Sequence, residues 1–235
     1  PLIAKGRQTA LYASAKTGKS WLTLNVVAAL ASGKPILGQT AQPPVHCLYL
    51  DYEMIEADLY ERLEQFGYTE DDDLSHLHYA LIPNLPSLNT TEGASAILKL
   101  VELTKAEVVV IDTTGRAIDG EENSADSYRE FARTTGLVLK RANVACVRTD
   151  HAGKDGGKKQ GQRCSSAKND DVDIVYRLDK SDDGLTLKRT HTRISWVPET
   201  VSLVVEDFDD VITIMGKQNF RTSTQQASYA RFCHR

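Results

Sequence analysis

Residues Thr9 to Leu24 read TALYASAKTGKSWLTL, and the fold is decided there. A short apolar run, Ala10-Leu11-Tyr12, enters a loop of small residues that closes on Gly18-Lys19-Ser20. A helical pattern starts at once with Trp21, Leu22, Leu24, Val26, Val27 and Leu30. Strand, loop, Gly-Lys-Ser and helix in that order make a P-loop, whose backbone N–H groups face phosphate oxygens at a helix N-terminus. Ala13, Ser14, Ala15, Lys16, Thr17, Gly18, Lys19, Ser20 and Trp21 are therefore the expected nucleotide-binding residues. Lys19 is placed to reach the β- and γ-phosphates as a point charge, and the Ser20 hydroxyl to hold Mg²⁺.

Two positions depart from the motif. Ala13 stands at its first glycine, and Lys16 where many such loops carry a second. Alanine at a site wanting positive φ is strained, so Ala13 is expected to use negative φ or to shift the loop slightly. The plainer reading is a helix that happens to begin Gly-Lys-Ser. The flanking strand and helix argue against it.

Downstream, the chain alternates strands with helices. The first helix runs from about Ser20 to Ala31 and stops at Ser32-Gly33. A proline-containing loop over 34–44 leads to the strand Val45 to Leu50, which ends in Asp51-Tyr52-Glu53. Acidic residues after a buried strand lie at the carboxyl end of a sheet, where α/β proteins bind ligands. A helix with Leu59, Leu63 and Phe66 on one face follows, closed by Gly67, and Asp71-Asp72-Asp73 reads as a solvated turn. A short strand spans Leu77 to Leu81, and Thr91 caps a helix whose apolar positions are Ile97, Leu98, Val101 and Leu103.

The second chemical signal is Val108-Val109-Val110-Ile111-Asp112. Four β-branched residues in a row suit a parallel strand buried on both faces. An Asp at its end is the Walker B arrangement that holds Mg²⁺. A polar loop and a helix over 124–141 come next, then the buried strand Val144 to Val147 ending in Arg148-Thr149-Asp150-His151. The segment 151–168 has four glycines and a basic cluster of Lys154, Lys158, Lys159, Arg163 and Lys168. It reads as a basic loop, placed either as solvated charge or for contact with a phosphate backbone. A hairpin is expected around Asp182-Asp183-Gly184, followed by Lys188, Arg189 and Arg193 and a further strand at Val201 to Val205. Residues 1–216 form one domain in this reading, and 217–235 a polar tail.

Composition limits the alternatives. The chain has 235 residues, 41% hydrophobic and 26% charged, enough for one α/β domain with a good core. Net charge is −4, so nucleic-acid binding would need a local basic patch. Cys47, Cys146, Cys164 and Cys233 are far apart, with no C-x-x-C pair and no metal site implied, and Cys47 and Cys146, in apolar runs, read as buried free thiols in a reducing compartment. No stretch approaches a membrane span. The chain begins at Pro1 rather than Met, so an upstream segment is expected.

With ASAKTGKS, LYLDYEM, VVVIDTTG, TDHAGKD and RCSSAKNDD in this order, the chain resembles the RecA-like ATPases over roughly residues 5–205. Within them it is most similar to the branch of RepA-type hexameric replicative helicases, including actinobacterial and phage ATPases. The resemblance implies a mostly parallel central sheet flanked by helices, with antiparallel strands added at the C-terminal side. It implies ATP and Mg²⁺ as ligands. It gives Glu53, with Asp51 as the alternative, the task of polarising the attacking water, and His151 that of sensing the γ-phosphate. It makes Lys188, Arg189 and Arg193 the candidates to complete a neighbouring subunit's site. In RCSSAKNDD, Cys164 departs from the glycine usual in that element.

The implied activity is a Mg²⁺-dependent ATPase acting on DNA as a replicative helicase or recombination-type motor and hydrolysing ATP at subunit interfaces, with a hexameric ring, single-stranded DNA and replication proteins as partners, in the cytoplasm of a bacterial or phage-infected cell. A nucleotide-gated helicase loader or regulator with slow hydrolysis is the alternative. A degenerate scaffold fits less well because Lys19, Ser20 and Asp112 are all present. A small-molecule kinase would need an acceptor-binding lid, and no such segment is recognisable.

Overall fold

The β-branched run forms β4 (Val108–Asp112), buried along its whole length. A strand with no polar face must be covered on both sides, and the rest of the chain supplies the two covers. The structure is a computed structural model and describes residues 2–120, 124–152, 172–181, 184–208 and 211–217. The other strands are β1 (Gln8–Ala13), β2 (Cys47–Asp51), β3 (Leu77–Leu81), β5 (Ala145–His151), β6 (Ile174–Ser181), β7 (Gly184–Thr192), β8 (Thr200–Phe208) and β9 (Val211–Lys217). They make one sheet in the order β3-β2-β4-β5-β1-β6-β7-β8-β9. Pairing is parallel from β3 to β6 and antiparallel from β6 to β9. The expected α/β class and its antiparallel extension are both present.

One face is covered by α1 (Lys19–Ser32) and α2 (Glu56–Gln65). Leu22 and Val26 of α1 pack with Leu11 and Ala13, while Leu24 and Val27 meet Tyr49, Val110 and Val147. The opposite face is covered by α3 (Thr91–Thr104), α4 (Thr114–Ala117), α5 (Ala125–Phe131) and α6 (Leu137–Arg141). There Ile97, Val101, Phe131 and Leu139 pack on Leu48, Leu50, Val109, Ile111 and Cys146. Cys47 and Cys146 are buried free thiols, and burial pushes both up to about 12.

Several local features differ from the sequence expectation. The helix over 124–141 is divided by a π-helical turn, Ala132–Gly136. Thr134 donates its hydroxyl to Glu130 O one turn back, a pattern that competes with the helical ladder, and Thr135 donates to Leu88 O outside the helix. Gly136 lies so close to Gln8 that a Cβ would fall 2.7 Å from its side-chain nitrogen. Thr90, not Thr91, caps α3, accepting from Gly93 N at 3.1 Å. Leu103 faces solvent rather than the core. The last expected strand lengthens into β8, and β9 is an additional strand paired along it. In the acidic turn, Asp72 pairs with Lys34 at 2.6 Å and Asp73 accepts from Ser75 N. Among the described residues no helix is long and apolar enough to cross a membrane.

Asp173 pins the middle of the sheet, accepting from Gln8 N at 3.0 Å, Lys140 Nζ at 3.0 Å and Arg7 Nη1 at 3.3 Å. Burial alone would raise its pKa, but these donors and the charges of Lys140 and Arg7 hold it below the ordinary value.

At the amino end of β2, His46 Nδ1 lies 3.2 Å from His78 Nε2, with the His76 ring 4.1 Å from the His46 ring. A bond between two imidazoles needs one N–H and one bare nitrogen. The pKa of His46 is lowered first by desolvation, then by His76, His78 and Lys105, with Glu107 opposing. A lowered pKa means the fold favours the neutral His46 imidazole over the charged one, so its stabilising contribution is complete above the ordinary histidine value and is lost as pH falls through it. Urea unfolding followed from about pH 7.5 to 5.5 should therefore show a steeper loss of stability in the wild type than in His46→Gln. Equal slopes would remove His46 as the source.

Candidate active site

The parallel strands end on one side of the sheet, and the chain's course reverses around β5 and β1. It leaves β1 toward β2 on one side and leaves β5 for β6 on the other. Crevices at such reversals bind ligands in open α/β sheets. Loop 14–18 joins β1 to α1 there. Ala13 ends β1 in strand conformation, so the missing glycine carries no strain. The left-handed positions are Lys16, at φ 60, and Gly18, at φ 101. Gly18 is the N-cap of α1, and Leu22 N donates to its carbonyl. Thr17 closes the loop by donating its hydroxyl to Ser14 O at 2.9 Å.

Lys19 is buried and folds back on the loop, donating to Ala13 O at 3.3 Å and Ser14 O at 3.2 Å. Desolvation lowers its pKa, partly offset by the charges of Asp112, Glu53 and Asp150. Ser20 stands beside the Asp112 carboxylate and favours its charged form. Trp21 points away from the loop and packs edge-on against Phe66 at 5.2 Å.

Asp112 sits at the end of β4, opposite Asp51 of β2 in register. Burial raises the Asp112 pKa, and the hydroxyls of Thr149, Tyr49 and Ser20 counter that. Tyr49 donates to Oδ2 at 2.6 Å, and Thr149 of β5 donates to Oδ1. Tyr79 of β3 stacks on Tyr49, with ring centroids 4.7 Å apart, and donates to Asp51 at 2.5 Å.

The two acidic candidates after β2 behave differently. Asp51 is buried and its oxygens accept from Glu53 N, Met54 N and Tyr79, so it shapes the turn. Glu53 is exposed at the mouth of the site, where Thr113 donates to Oε1 at 3.3 Å and Arg116 Nε at 3.1 Å. His151, at the end of β5, brings Nε2 to 4.0 Å from the same oxygen. The structure therefore gathers Lys19, Ser20, Glu53, Asp112 and His151 from three strand ends and one helix.

Lys188 and Arg189 lie on β7, two strands across from β1, and Arg193 follows that strand. Arg189 donates to Val197 O and the Arg193 backbone N–H to Asp173 O. These three stand apart from the cluster around Asp112. Lys154, Lys158, Lys159, Arg163 and Lys168 lie outside the described residues, as does the tail from residue 218. Tyr49, Tyr79, Thr113, Arg116 and Thr149 are site residues that motif spacing does not point to. Tyr49 and Thr149 carry a faint signal, since each lies two residues before a site residue and so on the same strand face.

The donors fit a magnesium nucleotide. Mg²⁺ is held through one or two carboxylates together with substrate phosphates, rather than by a protein cage. Among the described residues no group of three His, Cys, Asp or Glu side chains forms such a cage, whereas Ser20 and Asp112 offer paired oxygen ligands. Bound there, Mg²⁺ would neutralise charge on the β- and γ-phosphate oxygens.

A family profile described as an AAA domain matches residues 1–157, from ahead of β1 to beyond His151. The chain belongs to this AAA domain family. Comparison with curated proteins gives no match. The domain is a nucleotide-binding P-loop ATPase of AAA type, and the matched stretch ends before β6, so the antiparallel strands lie beyond it.

Tyr49→Phe removes one donor from the buried Asp112 and should destabilise the fold by about 1–3 kcal/mol. Urea unfolding at neutral pH checks this, and an unchanged midpoint would mean that the phenol contributes nothing.

Proposed function

We propose that this AAA domain hydrolyses ATP with Mg²⁺ between the subunits of a ring and couples that turnover to single-stranded DNA. The observation that carries the ATPase half is the meeting of Ser20 with Asp112 beside Lys19, with Glu53 and His151 at the same mouth. In this reading Lys19 binds the β- and γ-phosphates and Ser20 and Asp112 hold the metal. Glu53 orients the attacking water, which its half-exposed carboxylate can do and the engaged Asp51 cannot. His151 reports the γ-phosphate to β5.

The oligomeric half rests on the resemblance to RepA-type helicases and on the basic residues of the β7 side. Lys188, Arg189 and Arg193 stand apart from this chain's own phosphate loop, where cations serving an adjacent subunit belong. The DNA half rests on the same resemblance and on the basic segment containing Lys154, Lys158, Lys159, Arg163 and Lys168. Lys16, a non-glycine residue in a left-handed loop position, favours the second reading, a nucleotide-gated loader with slow turnover.

ATP hydrolysis measured with Mg²⁺, with and without single-stranded DNA, separates the two, with Lys19→Ala as blank. The motor reading expects turnover that rises with DNA and falls by about 10²–10⁴ in Glu53→Gln, the range for loss of a general base. Binding of ATP with little turnover, indifferent to DNA, would move the assignment to the loader.

A further inference from the structure

We propose that Arg116 is a positioning residue that holds the Glu53 carboxylate in the orientation needed to aim water, an inference that rests on the reading of Glu53 as the water-orienting group. Glu53 lies on a bend just past β2, where no helix or strand fixes its side chain. Its backbone is set by Asp51, which accepts from Glu53 N at 2.7 Å. Its carboxylate is set from elsewhere. Arg116 Nε, from the short α4, donates to Oε1 at 3.1 Å, and the Thr113 hydroxyl donates to the same oxygen at 3.3 Å.

Both donors fall on Oε1. Among the described residues no hydrogen bond falls on Oε2, which is left to accept from a water. Two donors on one oxygen fix the plane of the carboxylate as well as its position. A glutamate without them would have to give up its rotamer freedom during the reaction.

Stability does not account for the pair. Its side chains are 64% and 35% exposed, and ion pairs so open to solvent contribute little to folding. Arginine also suits the task better than lysine. The Nε–H of a planar guanidinium gives a directed bond, whereas an ammonium gives a mobile point charge. Arg116 sits four residues after Asp112, so the strand end that carries the metal-site aspartate also carries, through α4, the support for Glu53.

Steady-state ATPase kinetics on the full chain with single-stranded DNA test this, using Arg116→Ala, Arg116→Lys, Glu53→Gln and the Arg116→Ala/Glu53→Gln double variant. Misplacing a reacting group by about an ångström can cost up to about a hundredfold in rate, so Arg116→Ala should lower kcat by about ten- to a hundredfold. KM for ATP and the melting temperature should stay unchanged, and Arg116→Lys should recover part of the rate. In the Glu53→Gln background, Arg116→Ala should add no further loss. Wild-type or raised kcat in Arg116→Ala, or losses that multiply in the double variant, would overturn the proposal. Should Glu53→Gln itself turn over normally, the reading of Glu53 falls and Arg116 with it. If Glu53→Gln is dead and Arg116→Ala unaffected, the Arg116 proposal alone fails.

Discussion

A carboxylate buried at the end of a parallel strand is the constraint on which the site depends. Asp112 lies in a setting whose desolvation works against its charge, and an unpaired buried charge costs far more than any single hydrogen bond returns. The chain answers with hydroxyls from three directions: Tyr49 from β2 and Thr149 from β5 donate to it, and Ser20 of α1 stands beside it. Each hydroxyl belongs to an element that also carries a functional group. Ser20 follows Lys19, Tyr49 lies on the strand leading to Glu53, and Thr149 is two residues before His151. Satisfying one charge therefore fixes the relative placement of the phosphate loop, the base candidate and the γ-phosphate sensor candidate. The tyrosine stack extends the arrangement to the sheet edge, since Tyr79 lies on Tyr49 and holds Asp51.

What was legible in the sequence follows from this. The P-loop and Walker B positions are set by local rules: small residues before Gly-Lys-Ser, and an acid closing an all-apolar strand. Such rules act over a few residues and leave a pattern. Glu53 and His151 were readable because each follows a buried strand directly. Arg116 and Thr113 leave no such trace. They matter through a turn that brings α4 over the end of β2, and that meeting depends on β2 and β4 being neighbours. The π-helical turn was hidden for a different reason. Thr134-Thr135-Gly136 keeps a helical apolar rhythm in sequence, and only packing of Gly136 against Gln8 and of the threonine hydroxyls on nearby carbonyls displaces the ladder. The β9 strand has no bracketing signal in the sequence although Val211 to Ile214 is β-branched at every position. A short strand at the end of a domain has no following element to bracket it.

The sheet divides its work by strand direction. Parallel strands β1 to β6 bring their carboxyl ends to one side, which gathers polar groups that are far apart in the chain. Antiparallel strands β7 to β9 cannot do this, because successive ends alternate between the two sides. Their role is instead to broaden the hydrophobic layer under α1, through Leu185, Leu187, Val201 and Leu203. They also set a basic strand two positions from the phosphate loop. The family match stops before this half, in keeping with a nucleotide site completed by β5.

The strand β5 joins the two faces. Thr149 and His151 point to the α1 side, toward Asp112 and Glu53. Arg148 and Asp150 point to the other, where Tyr128 of α5 donates to Asp150 at 2.9 Å and the Arg148 guanidinium lies 5.6 Å from the Tyr128 and Phe131 rings. Arg148 is almost wholly buried, and its Nε is 3.7 Å from Asp150. A buried ion pair is weak as a source of net stability but strict about geometry, because separating the partners leaves an uncompensated charge. The same strand thus carries the site's hydrogen bonds on one face and, on the other, the charged groups that Tyr128 and Phe131 of α5 rest on. A movement of α5 along the sheet must either break the Tyr128–Asp150 hydrogen bond or carry β5 with it, and in the second case Thr149 and His151 move relative to Asp112 and Glu53.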